Sequence, residues 1–156
     1  MMGSYVLIIK LPETKQINIG SLKSVRFHRG YYAYVGSAMG GFRARLSHHF
    51  KENKKIHWHI DYLLQKASIT SIILCEAERR IECTIAQALK RQLDFVSRFG
   101  SSDCRCGSHL FFHRNEKKMK SIIITTLKEL GMQSHTNNMP NSLEASNVYF
   151  VEIKGL

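Results

Sequence analysis

Proline and acidic residues are scarce in this chain, and no hydrophobic run is long. Its 156 residues include two prolines and one tryptophan, and only 12 Asp and Glu stand against 23 Lys and Arg. With 44% hydrophobic residues and so little proline, the composition is that of an ordinary globular protein rather than a disordered one. A chain of this length suits one folding unit that buries roughly 70% of its unfolded surface. The apolar run Val6-Leu7-Ile8-Ile9 stops at Lys10. It is too short for a signal peptide or a membrane span and reads as a strand. The expectation is therefore a cytoplasmic protein, and the four cysteines are expected to be reduced.

The shortage of acid leaves a formal charge of +11. The excess is concentrated, because Lys23, Arg26, Arg29, Arg43, Arg45, Lys51, Lys54 and Lys55 are opposed over residues 23 to 55 by Glu52 alone. That asymmetry points to a polyanion, foremost nucleic acid. The bland alternative is a solubilising charge. An anionic membrane surface is disfavoured, because no long amphipathic helix with a Trp/Leu face is present.

No internal repeat is visible, and no linker precedes about residue 131. Strands are expected over 4–10, 22–28 and 31–36, with Pro12 starting a turn and His28-Arg29-Gly30 joining the last two in an antiparallel meander. Helices follow at 41–51 and 58–67, then a β-branched strand at 69–74. A helix over 83–96 carries Ile85, Ala86, Leu89, Leu93 and Val96 on one face. A Gly- and Cys-rich loop fills 99–108, followed by a strand at 109–113 and a helix at 117–130 closed by Gly131. Residues 132–146 read as a polar, mobile stretch and Val148 to Ile153 as a last strand.

The densest chemistry lies between residues 31 and 50. Tyr31, Tyr32, Tyr34 and Val35 have strand bias, Gly36, Gly40 and Gly41 break it, and Phe42, Leu46, His49 and Phe50 recur at helical spacing. Arg45 and His49, four apart, share one side of that helix. A tyrosine can give or take a proton and an arginine can fork onto a phosphate, which together suits a phosphodiester. An ordinary core strand followed by a solvated basic helix is the competing reading. Glu82 projects with Ile85, Ala86, Leu89 and Leu93, so its carboxylate faces inward and needs a metal, an arginine or the helix N-terminus. One reading is a simple helix-dipole partner; the other is a Mg²⁺ ligand, with Glu76 and Glu78 as substitutes.

Gly3-Ser4-Tyr5, Tyr34-Val35-Gly36, Arg45 and Glu82 together resemble the GIY-YIG nuclease domain. The likeness is nearest to its Uri-type endonuclease branch, through His57-Trp58-His59-Ile60-Asp61-Tyr62-Leu63, Glu82-Cys83 and Phe99-Gly100-Ser101-Ser102-Asp103-Cys104-Arg105-Cys106. The resemblance covers about residues 3 to 113. It implies an α+β fold, a small antiparallel sheet flanked by helices, with residues 114–156 adding a C-terminal helix and strand packed on the same domain. It also implies a single-metal phosphodiesterase using Mg²⁺ or Mn²⁺ at Glu82, with Tyr5, Tyr34, Arg45 and His49 as further catalytic residues. In that scheme a tyrosine helps deprotonate water and the arginine stabilises charge on the phosphate. Some features depart from the family pattern. Tyr5 and Tyr34 lie 29 positions apart, so residues 11–30 read as an inserted strand and loop. Ser37 stands where many relatives carry lysine, and Arg43 competes with Arg45.

His57 and His59 diverge by about 160° if helical, so one is read as facing DNA or the active site and the other as packing. Cys104-x-Cys106-x-x-His109, with Cys83 as a fourth ligand, matches no common zinc spacing, and a tight loop without stoichiometric metal is expected. The leading expectation is a metal-dependent DNA endonuclease acting in repair or processing, selective for DNA structure rather than sequence. Lys23, Arg26, Arg29, Ser37, Arg43, Lys51, Lys54, Lys55 and His57 are its expected nucleic-acid contacts, with RNA as another candidate substrate and no membrane partner. The rivals are a non-catalytic nucleic-acid-binding module on the same fold and a zinc-stapled scaffold.

Overall fold

The structure, a computed structural model, describes residues 1–136 and 147–152, with side chains through residue 132. The first strand, β1 (Gly3–Leu11), is apolar on both sides. Tyr5, Leu7, Ile9 and Leu11 enter one core cluster, and Val6 and Ile8 enter another. Such a strand must be covered on both faces, which makes the molecule three-layered.

In chain order the elements after β1 are β2 (Lys15–Asn18), a 3₁₀ turn at Gly20–Leu22, β3 (Ser24–Phe27), β4 (Gly30–Ala38), α1 (Phe42–Phe50), α2 (His59–Leu64), β5 (Ser68–Glu76), α3 (Glu82–Lys90), β6 (Asp94–Phe95), β7 (Leu110–His113), α4 (Glu116–Glu129), β8 (Gln133–Thr136) and β9 (Asn147–Glu152). The sheet order is β6-β7-β4-β1-β5-β9-β8. Its neighbours are antiparallel apart from the parallel β8–β9 pair. The fold is α+β, as expected.

The β2–β3 hairpin, α1 and α2 cover one face, burying Ile17, Ile19, Phe27, Phe42, Ile60 and Leu63 against it. Helices α3 and α4 cover the other, through Ile85, Ala86 and Leu89 and through Met119, Ile123 and Leu127. The α4 positions fall at i, i+4 and i+8, and the α3 positions at i, i+1 and i+4, both within the stripe of one helical face. Asn115 caps α4 by accepting from Lys118 N–H at 3.0 Å.

Several boundaries differ from the sequence reading. Residues 22–28 do not continue the main sheet: β3 pairs with β2 in a separate two-stranded sheet, and β1 pairs directly with β4. The inserted segment is thus a hairpin laid over the core. The helix expected over 83–96 ends at Lys90, because Asp94 and Phe95 leave it to pair with β7. Phe50, expected on the apolar stripe of α1, is 42% exposed. Residues 133–136, expected to be mobile, form β8; residues 137–146 and Ile153 of those expectations lie outside the described residues. Among the described residues no helix is long and apolar enough to cross a membrane.

Candidate active site and an adjacent thiol cluster

Strand register, rather than sequence distance, brings the two tyrosines together. Tyr5 of β1 is paired with Gly36 of β4, two residues beyond Tyr34. A side chain at Gly36 would overlap the Tyr5 ring, so glycine here is what lets that ring lie across the neighbouring strand. The rings of Tyr5 and Tyr34 stand 6.5 Å apart. His49, from the last turn of α1, completes the group at 5.5 Å from Tyr5 and 6.3 Å from Tyr34. Phe99 packs edge-on against Tyr34 at 6.3 Å.

All three polar rings are buried, and burial sets their protonation. It pushes the Tyr5 phenol well up, with Tyr34 adding to the rise and Arg45 opposing it. It also pushes Tyr34 up, against a downward pull from Arg45, with Asp61, Asp103 and Glu82 adding to the rise. His49 is pushed down to about 3 by burial and by the nearby Lys54 charge, so its imidazole is neutral. Tyr5 Oη and His49 Nε2 share a 2.6 Å hydrogen bond whose donor is set by the imidazole tautomer. His49 Nδ1 is buried and has no hydrogen-bond partner among the described residues.

Arg45 is held by stacking, and among the described residues no acid pairs with it. Its guanidinium carbon lies 4.2 Å from the centre of the Trp58 ring. Trp58 is set in turn by Asp61, a fully buried carboxylate at the start of α2. Asp61 accepts from the backbone N–H of His57 and of Trp58, both at 2.9 Å, and from His48 Nε2 at 3.1 Å. Burial alone would raise its pKa, but the Trp58 and His57 N–H groups and His48 hold it below the usual carboxylate value. Lys54, expected to touch nucleic acid, is drawn inward instead. Its ammonium donates to the carbonyls of His49 at 2.7 Å and His48 at 3.3 Å, closing the C-terminus of α1, and lies 3.9 Å from Asp61. Because its carboxyl is more acidic in the fold, Asp61 stabilises the protein fully above its unfolded pKa of about 3.9. The contribution fades as pH falls through the lower folded value. Asp61→Asn is expected to cost about 2–3 kcal/mol at neutral pH, the worth of hydrogen bonds to a charged acceptor, or about 5–10 °C of Tm. Thermal melts taken at falling pH should show the two proteins converging in acid.

Glu82 opens α3 and turns inward, as the helical wheel implies. One oxygen is 3.7 Å from the exposed Arg80 side chain, and the other is buried with no hydrogen-bond partner among the described residues. Of the remaining sequence candidates, Lys23, Arg26, Arg29, Arg43, Lys51, Lys55 and His57 are exposed, and Ser37 is half-buried. Arg26 and Arg29 line a cleft of about 1150 Å³ together with Tyr31, Phe95, Phe112 and Arg114. His59 is a packing residue: its Nδ1 accepts from Gly100 N–H at 2.9 Å and its ring lies 5.6 Å from that of Phe99. Trp58 and Asp61 stood in the sequence only within the stretch 57–63 that carries the resemblance, without a role, because both act through contacts made only in the fold.

Next to Glu82, the Cys-rich loop is tight, as expected, but it does more than close a turn. The thiols of Cys83, Cys104 and Cys106 and a ring nitrogen of His109 all lie within 4.8 Å of one another, a set of donors that could hold a metal ion. Cys83 comes from α3 and the other three from the loop before β7; they are the four residues the sequence offers as a possible zinc set, and the fold brings their donor atoms together although their spacing matches no common motif.

No curated protein and no solved structure matches the chain. A family model does: DUF123, a domain of unknown function, matches residues 4–132 and so takes in the tyrosines, Arg45, His49, Glu82 and the thiol cluster. The chain belongs to the DUF123 family.

Proposed function

We propose that this chain is a metal-dependent endonuclease of GIY-YIG type, nearest to the Uri-type branch, that hydrolyses DNA phosphodiester bonds. The observation that carries the reading is the convergence, from three separate elements, of Tyr5, Tyr34 and the α1 residues Arg45 and His49, with Glu82 from a fourth element close enough to act on Tyr34 and one of its oxygens unpartnered among the described residues. Glu82 fits a divalent cation on that ground, because a buried carboxylate oxygen without a donor is a hard ligand in need of positive charge. Mg²⁺ or Mn²⁺ held there, with water completing its shell, would polarise the phosphoryl and leaving oxygens.

The protein's own groups supply the rest. Burial keeps both phenols protonated, so neither tyrosine is a ready base by itself. Tyr5 is nonetheless bonded to a neutral imidazole. That 2.6 Å bond to His49 Nε2 would hold the phenol in place beside the attacking water, a step for which positive charge has to favour the phenolate. Arg45 opposes the upward push on both phenols and is splinted on the Trp58 face, where its fork can meet charge developing on the phosphate.

A net charge of +11 and the cleft bearing Arg26, Arg29 and Arg114 beside Tyr31, Phe95 and Phe112 support a nucleic-acid partner. Cations there can follow a backbone and aromatic faces can stack unpaired bases. The deciding assay offers single-stranded, duplex, flap and branched DNA with Mg²⁺, Mn²⁺ or EDTA. Cleavage that requires the metal supports the enzyme. Salt-sensitive binding to all four substrates without cleavage would make the chain a binding module on the same fold.

A further inference from the structure

We propose that Cys83, Cys104, Cys106 and His109 form a closed, structural zinc site that pins the start of α3 to the β4–β7 edge of the sheet. Tetrahedral zinc holds thiolate sulfur at about 2.3 Å and imidazole nitrogen at about 2.0–2.1 Å, which places bound donors about 3.6–3.8 Å from one another. Here His109 Nε2 is 3.3 Å from Cys104 Sγ and 3.9 Å from Cys83 Sγ, and no two of the four donor atoms are more than 4.8 Å apart. The donors already surround a point that one ion could fill with small side-chain movements.

The histidine is prepared for that role. Its Nδ1 lies 3.0 Å from the Val35 carbonyl, a bond that only an N–H can make there. The Nε2 lone pair is thereby left facing the thiols. The backbone that carries the ring is also fixed, because Val35 N–H donates to the His109 carbonyl at 2.9 Å and His109 N–H to that of Phe99 at 2.8 Å. Three thiolates and a neutral imidazole around Zn²⁺ carry one net negative charge. The Lys90 ammonium lies against Gly107, the residue after Cys106. Three sulfurs and one nitrogen with all four positions supplied by protein are the donor set of a structural zinc, not of a Mg²⁺ site. The ligands come from α3 and from the mouth of β7, so the ion would fix Glu82, next in sequence to Cys83, relative to Tyr34, next to Val35.

The zinc assignment does not rest on the nuclease reading, and its test is separable from activity. The full chain purified without chelator should contain about one zinc per molecule by elemental analysis, as a single four-ligand site requires. Replacement by Co²⁺ should give the intense visible bands of tetrahedral cobalt together with thiolate-to-cobalt charge transfer. Cys104→Ser and His109→Ala should each bind zinc at least tenfold more weakly, whereas Glu82→Gln should retain it. The cobalt spectrum is read on the unaltered protein, so a variant that fails to fold does not leave the question open. A folded, metal-free protein whose Co²⁺ spectrum lacks thiolate bands would overturn the assignment, as would an intact mass showing a disulfide among these cysteines. Zinc without cleavage would sink only the nuclease reading, and cleavage by a zinc-free protein only this one.

Discussion

Glu82→Gln is expected to abolish DNA cleavage while folding and DNA affinity survive. Gln keeps the shape of the side chain and removes its charge, so a cation that depends on that carboxylate is lost while the packing of α3 is not. The activity should fall at least as far as when other strongly stabilising transition-state groups are removed, about 10³-fold or more. If Glu82 served only the dipole of α3, the change would cost about 0.3–1 kcal/mol of stability and spare turnover. Initial cleavage rates, a melting curve and a binding isotherm on the same preparation separate the two. A variant that melts slightly lower yet cuts at the wild-type rate would remove Glu82 from the site and turn attention to Glu76, whose buried Oε2 also has no hydrogen-bond partner among the described residues.

Arg45→Ala should lower cleavage by about 10²–10³-fold, corresponding to about 3–4 kcal/mol, through loss of a preorganised charge at the phosphate. DNA affinity should change much less, because Arg26, Arg29, Arg43, Lys51 and Lys55 remain exposed. The Trp58 ring gives this prediction a companion. Trp58→Ala leaves the guanidinium in place but unsupported, so its defect should be smaller and should add little to that of Arg45→Ala. Equal losses of binding and turnover in Arg45→Ala would identify the residue as a phosphate anchor only.

The layers of the fold and the cast of the candidate site were legible in the sequence; their geometry was legible only in part. The continuous apolar run of β1, the stripes of α3 and α4 and the glycine break after Val35 are local signals, and each marked its element. What escaped was set by contacts between distant segments. The hairpin at 15–27 reads locally as part of a meander, yet Ile17, Ile19 and Phe27 commit it to the face of the core. Lys54 reads as one more surface cation, and only the converging carbonyls of α1 show why it turns inward. The thiol cluster is the plainest case. Cys83, Cys104, Cys106 and His109 were visible in the sequence as a possible set, but with one donor on another helix their spacing matches no common zinc motif, and only the fold shows that the four meet.

Asp61 has a consequence for how this family could vary. It gathers His48 from one side of the α1–α2 connection and the His57 and Trp58 amides from the other, and Lys54 reaches toward it from between them. The connection is thus knotted at its base, and the exposed residues Lys51, Glu52, Asn53 and Lys55 hang outside the knot. Their identity, and even their number, can drift without moving Trp58 or the arginine stacked upon it. A scaffold anchored at one carboxylate can exchange the fringe that meets its partner and keep the chemistry behind it unchanged.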